Sequence, residues 1–368
     1  MKYLVSVIIP TYNSENFLET SIKSVMDQTI GFKNIELIII DDFSTDNTEE
    51  IINDYCSKYE NIKTYPLVKK TGTPGAARNL AIKNSNSDYL MFLDHDDCYT
   101  KDAVEKLYES ITKNSSDVSI GKFQTFGDGK IVSEDWIKED VTLNSIEENL
   151  LFFSINNIWR MIFPKKFIVE NRISFPEGVF AEDLTFMVDS FLNASKIIFI
   201  NDIVYNFRLR QGEITSTSLS KGIHYLNGLT EGYDYTLKVL QKNNSCKFYD
   251  TILNQHLSTW LSDLILSDTI SLKEKKELLE KSSYLFKNIK NINPFPENEE
   301  NKILMEKIKD SKLDEVYKYI ESYKFSKKIN QLEEELNNKQ IQVANLQTTK
   351  GWFKYKIKNI YQRLIKKN

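Results

Sequence analysis

Leu4–Ile9 is a compact apolar run rich in β-branched residues, and Pro10 stops it. That is the pattern of a strand buried on both faces of a parallel sheet. Thr11-Tyr12-Asn13 follows as a loop at its carboxyl end, and Ser14 is placed to cap a helix from Glu15 to about Gln28. Ile35–Ile40 repeats the strand pattern and ends in Asp41-Asp42; turn and cap residues at 44–48 then predict a helix to about Tyr59. A short strand near Ile62–Leu67, the loop Thr71–Gly75, a helix over 76–84 and a buried strand at Tyr89–Leu93 continue the alternation. Further strand patterns lie at 117–124 and 197–207, with a polar, irregular stretch at 128–144 between them. Strands alternating with helices through short loops predict an α/β fold with a doubly wound, mostly parallel sheet.

The pattern changes near Ser220. Glycine nearly vanishes after Gly232, and amphipathic helices dominate to about Tyr323, broken at Asn291–Asn298 by Pro294 and Pro296. Beyond Phe325 the apolar residues Ile329, Leu332, Leu336, Val343, Leu346, Phe353, Ile357, Ile360 and Leu364 fall on a three-four spacing, interrupted at Lys339 and Lys350. That spacing predicts a short coiled coil and hence a homo-oligomer. After Gly351, six basic residues accompany Trp352, Phe353 and Tyr355 without an acidic one. Such an end suits an anionic membrane surface, or else is a solvated helix. The chain therefore divides into residues 1–219, 220–324 and 325–368.

Composition narrows the function. At 368 residues the chain has room for a large domain and a smaller one. A net charge of −4 does not suggest a nucleic-acid binder. Cys56, Cys98 and Cys246 form no CxxC pair, which fits a reducing compartment, and three scattered histidines make no zinc site. The N-terminus runs straight into a strand and no apolar run approaches a membrane span. A cytoplasmic protein is expected, with the tail as a peripheral contact to the inner membrane face.

The candidate chemistry lies at strand ends, where parallel sheets bind ligands. Asp94, Asp96 and Asp97 crowd three carboxylates into four residues, and Asp41-Asp42 end another strand. Crowded carboxylates call for a hard divalent cation such as Mg2+ or Mn2+, which can also hold a diphosphate; otherwise they are an acidic turn that caps the next helix. The loop at Gly72 matches neither GxxxxGK[ST] nor GxGxxG. Arg78, one turn into the following helix, is placed to counter a diphosphate or brace a carboxylate, unless it lies on the surface. Glu182-Asp183 opens a predicted helix, where acids interact well with the positive dipole end, and a general base is the alternative role.

Val5–Asn13, Ile40–Asp46, Gly75–Asn79 and Leu93–Asp97 resemble, in order and spacing, the successive signature motifs of the family 2 glycosyltransferases. Phe175–Phe186 resembles that family's acid-pair box. The resemblance covers about residues 1–215 and implies a GT-A fold and an inverting, metal-dependent transfer from a UDP-sugar. It implies that Asp42 contacts uracil with Asp41 beside it, and that the loop of Pro10 and Tyr12 frames the nucleoside. It implies that Asp96 holds Mn2+ or Mg2+ with Asp94 near the ribose, and that Asp183 is the base supported by Glu182. Phe43 and His95 stand where the family often has glycine and a small residue; His95 is either a nucleoside contact or a solvent-facing filler. Trp159 is a stacking wall for the acceptor sugar or a core residue. Either Arg208 or Arg210, two apart on one strand face, stabilises the leaving UDP.

Ser116–Lys122 and the Ala181-Glu182-Asp183 box also resemble those of the wall teichoic acid N-acetylglucosaminyltransferases. That implies transfer of GlcNAc or another hexose or HexNAc to a polymeric or lipid-linked glycan or polyol-phosphate acceptor. A capsule or lipid-linked oligosaccharide enzyme shares the same catalytic half. A nucleotidyltransferase or a non-catalytic nucleotide-binding protein are the other classes.

Overall fold

The structure is a computed structural model. It describes residues 3–126, 137–155, 157–209, 222–293 and 298–323, together with 325–327, 329, 333 and 340. Arg210 and most of the tail expected to form a coiled coil lie outside the described residues, as does most of the irregular stretch expected at 128–144.

Strands β1 (Tyr3–Thr11), β2 (Ile35–Asp41), β3 (Ile62–Thr64) and β4 (Ser87–Phe92) form a parallel block in the order β3-β2-β1-β4. Helices α1 (Leu18–Met26), α2 (Thr48–Lys58) and α3 (Gly75–Asn84) make the crossovers. The sheet continues through β8 (Met161–Pro164), β6 (Val118–Phe126), β9 (Ile197–Arg208) and β5 (Cys98–Tyr99), with β7 (Val141–Leu143) also on β9. β8 runs against both neighbours, while β6 and β9 are parallel. The α/β architecture with a mostly parallel sheet is thus the one the sequence predicts.

Alternation along each strand explains the layers. On β1, Ile8 joins one hydrophobic cluster and Val5, Val7 and Ile9 the other; on β2, Ile38 and Ile40 part from Ile35, Leu37 and Ile39 in the same way. Successive side chains face opposite sides, so a continuous apolar run covers both faces at once. α1, α2 and α4 (Ala103–Asn114) cover one face, and α3 and α6 (Glu182–Asn193) the other, with the short α5 (Lys165–Glu170) after β8.

Two local expectations change. β3 ends at Thr64 rather than reaching Leu67, because Pro66 follows and offers no N–H to a ladder. Ser14 does not cap α1 through its side chain: its buried hydroxyl is taken by Thr11 Oγ1, and the Ser14 carbonyl accepts from Phe17 and Leu18 instead. The helix accordingly starts at Leu18.

The remaining helices, α7 (Ile223–Lys242), α8 (Tyr249–Leu266), α9 (Leu272–Lys287) and α10 (Glu299–Lys309), form a layer beyond α6, followed by helical residues 313–323. This layer shares one buried cluster with the sheet, running from Ile8 through Phe186 and Trp260 to Ile320. Trp260 Nε1 donates to the Leu226 carbonyl at 3.0 Å, tying α8 to α7.

Candidate active site

The carboxyl ends of β1, β2 and β4 open on one side of the parallel block. Thr11 pairs with Asp41 at the end of β1 and β2, and Pro10, buried, sits opposite Ile40. Asp41 is a loop fastener: its carboxylate accepts from Ser44 N at 2.9 Å and from the Ser44 hydroxyl. Phe43, in the place where the family often has glycine, has a φ of 62°. The left-handed turn is kept although the residue is not glycine.

Asp42 is buried and accepts from Thr71 N at 2.7 Å and Gly72 N at 2.6 Å. Each carboxylate oxygen keeps a further lone pair, so an imide N–H can still be accepted. Lys70, in the same loop, donates to Tyr12 OH at 2.6 Å and lies 3.9 Å from that ring's centroid. Lys70 was not among the residues the sequence singled out; its position next to the loop at Gly72 was the available signal.

The centre of the site is Arg78. Its Nη1 donates to Glu182 Oε1 at 2.7 Å and its Nη2 to Asp94 Oδ1 at 3.0 Å, with the side chain 4% exposed. One guanidinium fork therefore ties α3 to the end of β4 and to the first turn of α6. Its Nε finds no acceptor among the described residues. The guanidinium also lies 5.3 Å from the Phe175 ring, which stacks on Phe186 at 4.0 Å.

Asp183 is less constrained than Glu182. It accepts from Leu184 N at 2.8 Å, a bond within its own helix turn, and is half-buried. Burial, then the Asp183 carboxylate, pushes Glu182 up to about 7 despite Arg78. Burial likewise raises Asp183 and Asp94, with Arg78 opposing in both cases.

Beyond Asp94, the chain turns through His95, Asp96 and Asp97. Ser21 Oγ donates to the carbonyls of His95 and Asp97 at 2.8 Å and 2.7 Å and so shapes the turn. Asp97 accepts from Tyr205 OH at 2.9 Å and from Arg208 N at 2.7 Å. Burial, then Asp96 and Asp94, push it up to about 8. Arg208 Nε donates to the Asp96 carbonyl at 2.7 Å, and the guanidinium lies 4.6 Å from the Phe126 centroid. Arg208 thus belongs to the acidic turn. Asp97 was visible as the third acid of the stretch, whereas nothing in the sequence marked Tyr205.

No group of three or more His, Cys, Asp or Glu side chains poised for a metal occurs among the described residues. One or two carboxylates that share the ion with substrate phosphates are the usual donor set for Mg2+ in phosphate chemistry. Burial is the larger cause of the raised Asp97 and the Asp96 and Asp94 carboxylates the smaller, so the turn holds crowded negative charge of the kind that a cation completed by a diphosphate would offset.

Trp159 is corrected as a stacking wall. It is 6% exposed, with its ring stacked on Tyr205 at 4.0 Å and on Phe207 at 6.0 Å, which makes it the core residue of the two alternatives.

The loop before the acid pair is clamped on one side by α3. Asn79 Nδ2 donates to the Phe175 carbonyl and Phe175 N to Asn79 Oδ1, both at 2.9 Å, while Gly178 N donates to Thr73 Oγ1 at 3.1 Å. A Cβ on Gly75 would meet the Pro176 carbonyl oxygen at 2.3 Å, so only glycine lets the loop lie against the start of α3.

The family model for glycosyl transferase family 2 matches residues 6–162. The chain is 33% identical over 235 residues to the poly(ribitol-phosphate) beta-N-acetylglucosaminyltransferase TarP of Staphylococcus aureus, covering 62% of this chain and 71% of that protein. It is 30% identical over 285 residues to a poly(ribitol-phosphate) beta-glucosyltransferase of Bacillus spizizenii, covering 76% of this chain. The chain spans 44% of the length of that second relative. Among solved structures, residues 1–349 of S. aureus TarS in complex with UDP-GlcNAc superpose with a TM-score of 0.68 at 24% identity, covering 88% of this chain and 92% of that one. That likeness carries the GT-A fold.

Proposed function

The chain belongs to glycosyl transferase family 2, and we propose that it is an inverting enzyme that moves a sugar from a UDP-sugar to a hydroxyl of a polyol-phosphate, teichoic-acid-type acceptor. The observation that carries this reading is the Arg78 fork, which brings Asp94 from the nucleotide side and Glu182 from the acid-pair helix to one point. Nucleotide and acid pair then belong to one site rather than to two.

In this reading Asp42 accepts the imide N–H of uracil, with Tyr12 and Pro10 framing the nucleoside and Asp41 holding the loop. Asp94 and His95 border the ribose and diphosphate. Asp96 would hold Mg2+ or Mn2+, and such an ion would supply positive charge to the diphosphate. Arg208 adds positive charge beside the same turn, where charge grows as UDP leaves. Asp183 takes the proton of the attacking acceptor hydroxyl; burial raises its affinity for a proton, the direction that favours a general base. Glu182, held by Arg78, keeps the first turn of α6 in place and borders the acceptor. The names of the relatives, poly(ribitol-phosphate) glucosyl- and N-acetylglucosaminyltransferases, support the acceptor class and a hexose or HexNAc donor.

A screen of UDP-sugars by UDP release, with poly(ribitol-phosphate) present and absent and with Mn2+ or EDTA, tests the reading. Acceptor-dependent release of UDP supports it. Release of pyrophosphate from an NTP would instead make the protein a nucleotidyltransferase, and nucleotide binding without turnover a non-catalytic binder.

The spacing in 325–368 supports a homo-oligomer through a coiled coil, and its basic aromatic end a peripheral contact with the inner membrane face. Among the described residues no helix is long and apolar enough to cross a membrane. A cytoplasmic enzyme working on a lipid-linked or polymeric chain, divided at about residues 219 and 324, follows from this reading.

A further inference from the structure

Helix α7 lies outside the residues matched by the family model, yet it builds the second wall of the clamp on the acid-pair loop. Gly228 and Gly232 stand one helical turn apart and face that loop. A Cβ on Gly228 would meet Cδ2 of the Phe180 ring at 2.3 Å, and one on Gly232 would meet the Phe180 carbonyl oxygen at 1.9 Å. Phe180 N donates to the Gly228 carbonyl at 3.3 Å. Thr185 Oγ1, in the first turns of α6, donates to the Gly232 carbonyl at 3.3 Å and shares a hydrogen bond with Thr236 Oγ1 at 3.0 Å. The Phe180 ring is flanked by Tyr225 at 5.1 Å and His224 at 5.8 Å.

Between the seated Phe180 and the acids stands Ala181, with a φ of 60°. An L-residue with a Cβ holds that left-handed conformation only where its surroundings impose it. Here the imposing surroundings are α3 on one side and α7 on the other. The Ala181 turn sets the direction in which α6 starts, and with it the place of Glu182 and Asp183.

We propose that α7 is a positioning element of the active site: the Gly228–Gly232 groove seats Phe180, holds the Ala181 turn and thereby places Asp183 against the acceptor hydroxyl. This rests on the reading of Asp183 as the base. In this proposal Gly228, Gly232 and Phe180 act through the acid pair and not on a substrate directly.

The two glycines meet different parts of Phe180, and this makes the proposal testable. Gly232→Ala pushes on a carbonyl that no side-chain change can remove. Gly228→Ala pushes on a ring that Phe180→Ala deletes. Steady-state kinetics with the UDP-sugar that wild type uses, UDP affinity by calorimetry and melting temperature are measured for both glycine variants, alone and on Phe180→Ala. Gly232→Ala is expected to cut kcat by about 10²-fold, the scale of an ångström-sized misplacement of a reacting group, with UDP affinity retained. The pH dependence of its kcat should shift as well, because the surroundings of Asp183 change. On the Phe180→Ala background Gly228→Ala should cost nothing further, whereas Gly232→Ala should keep its full effect. If Gly232→Ala does not fold, Phe180→Ala alone carries the test, since it empties the groove without a clash; reduced kcat with unchanged UDP affinity is then expected. A folded Gly232→Ala or Phe180→Ala with wild-type kcat and pH profile would overturn the proposal, as would loss of UDP affinity in step with kcat. An inactive wild type with intact UDP binding is a different failure: it removes the glycosyltransferase reading itself, and the positioning role falls with it.

Discussion

Arg78 pairs with two carboxylates, and its replacement separates two effects. Breaking a buried pair by removing one partner costs about 3–5 kcal/mol, here because Glu182 stays buried without a counter-ion. Arg78→Met should lower the melting temperature clearly at neutral pH. Arg78→Lys should recover only part of the loss, since one ammonium cannot reproduce a fork that reaches Asp94 and Glu182 at once. Equal melting temperatures for wild type and Arg78→Met would mean that the two acids find other partners.

Asp183→Asn tests the base. It is expected to reduce turnover by about 10²-fold or more, with UDP-sugar affinity near wild type. Collapse of donor affinity in parallel would make Asp183 structural. Glu182 gives a pH prediction. Its carboxyl is pushed up to about 7 in the folded chain against about 4.3 for an unperturbed glutamate. The folded state therefore binds more protons between those values, so this stabilisation is complete below the lower one and is lost as pH rises through the upper one. The urea midpoint in EDTA should fall from about pH 5 to about pH 8, and Glu182→Gln should flatten that slope. A slope unchanged by the substitution would assign it to another group.

At the scale of elements, the strands were legible because a sheet covered on both faces leaves continuous apolar runs, and β1, β2 and β4 have them. The acids at the ends of β2 and β4 were legible for the same reason: a run that stops at a carboxylate marks where the strand leaves the core. The fork from Arg78 to Glu182 was not, because it spans 104 positions and only the folded α6 brings the two together. Trp159 misled as a wall candidate because nothing local shows that Tyr205 and Phe207 cover it. Gly228 and Gly232 sat in a helix with no chemistry assigned, since the ring they accept belongs to a loop 48 positions before the first of them.

The turn after β4 carries the metal prediction. Asp96→Ala should abolish transfer and weaken UDP-sugar binding, because the diphosphate loses its cation, and EDTA should reproduce both in wild type. Full activity in EDTA would remove the metal from the mechanism. Arg208, whose main chain and side chain hold this turn, makes it sensitive to changes in β9 as well as in β4.

For the molecule as a whole, removing residues 325–368 should give a smaller species by light scattering. Activity on short soluble acceptors should remain, with less on polymeric or membrane-bound ones, since an oligomer presents several sites to one chain. Wild type and truncation of equal size would move any interface into the helices before Tyr323.

The cluster that runs unbroken from Ile8 on the central strand to Ile320 has a consequence for opening of the native state. Elements that share a core lose protection together, as one cooperative unit. Slow-exchanging amides of α6 and α7 should therefore report the same opening free energy by hydrogen exchange. A protease that nicks the chain between α6 and α7 should leave the two fragments associated rather than freeing an intact nucleotide-binding half.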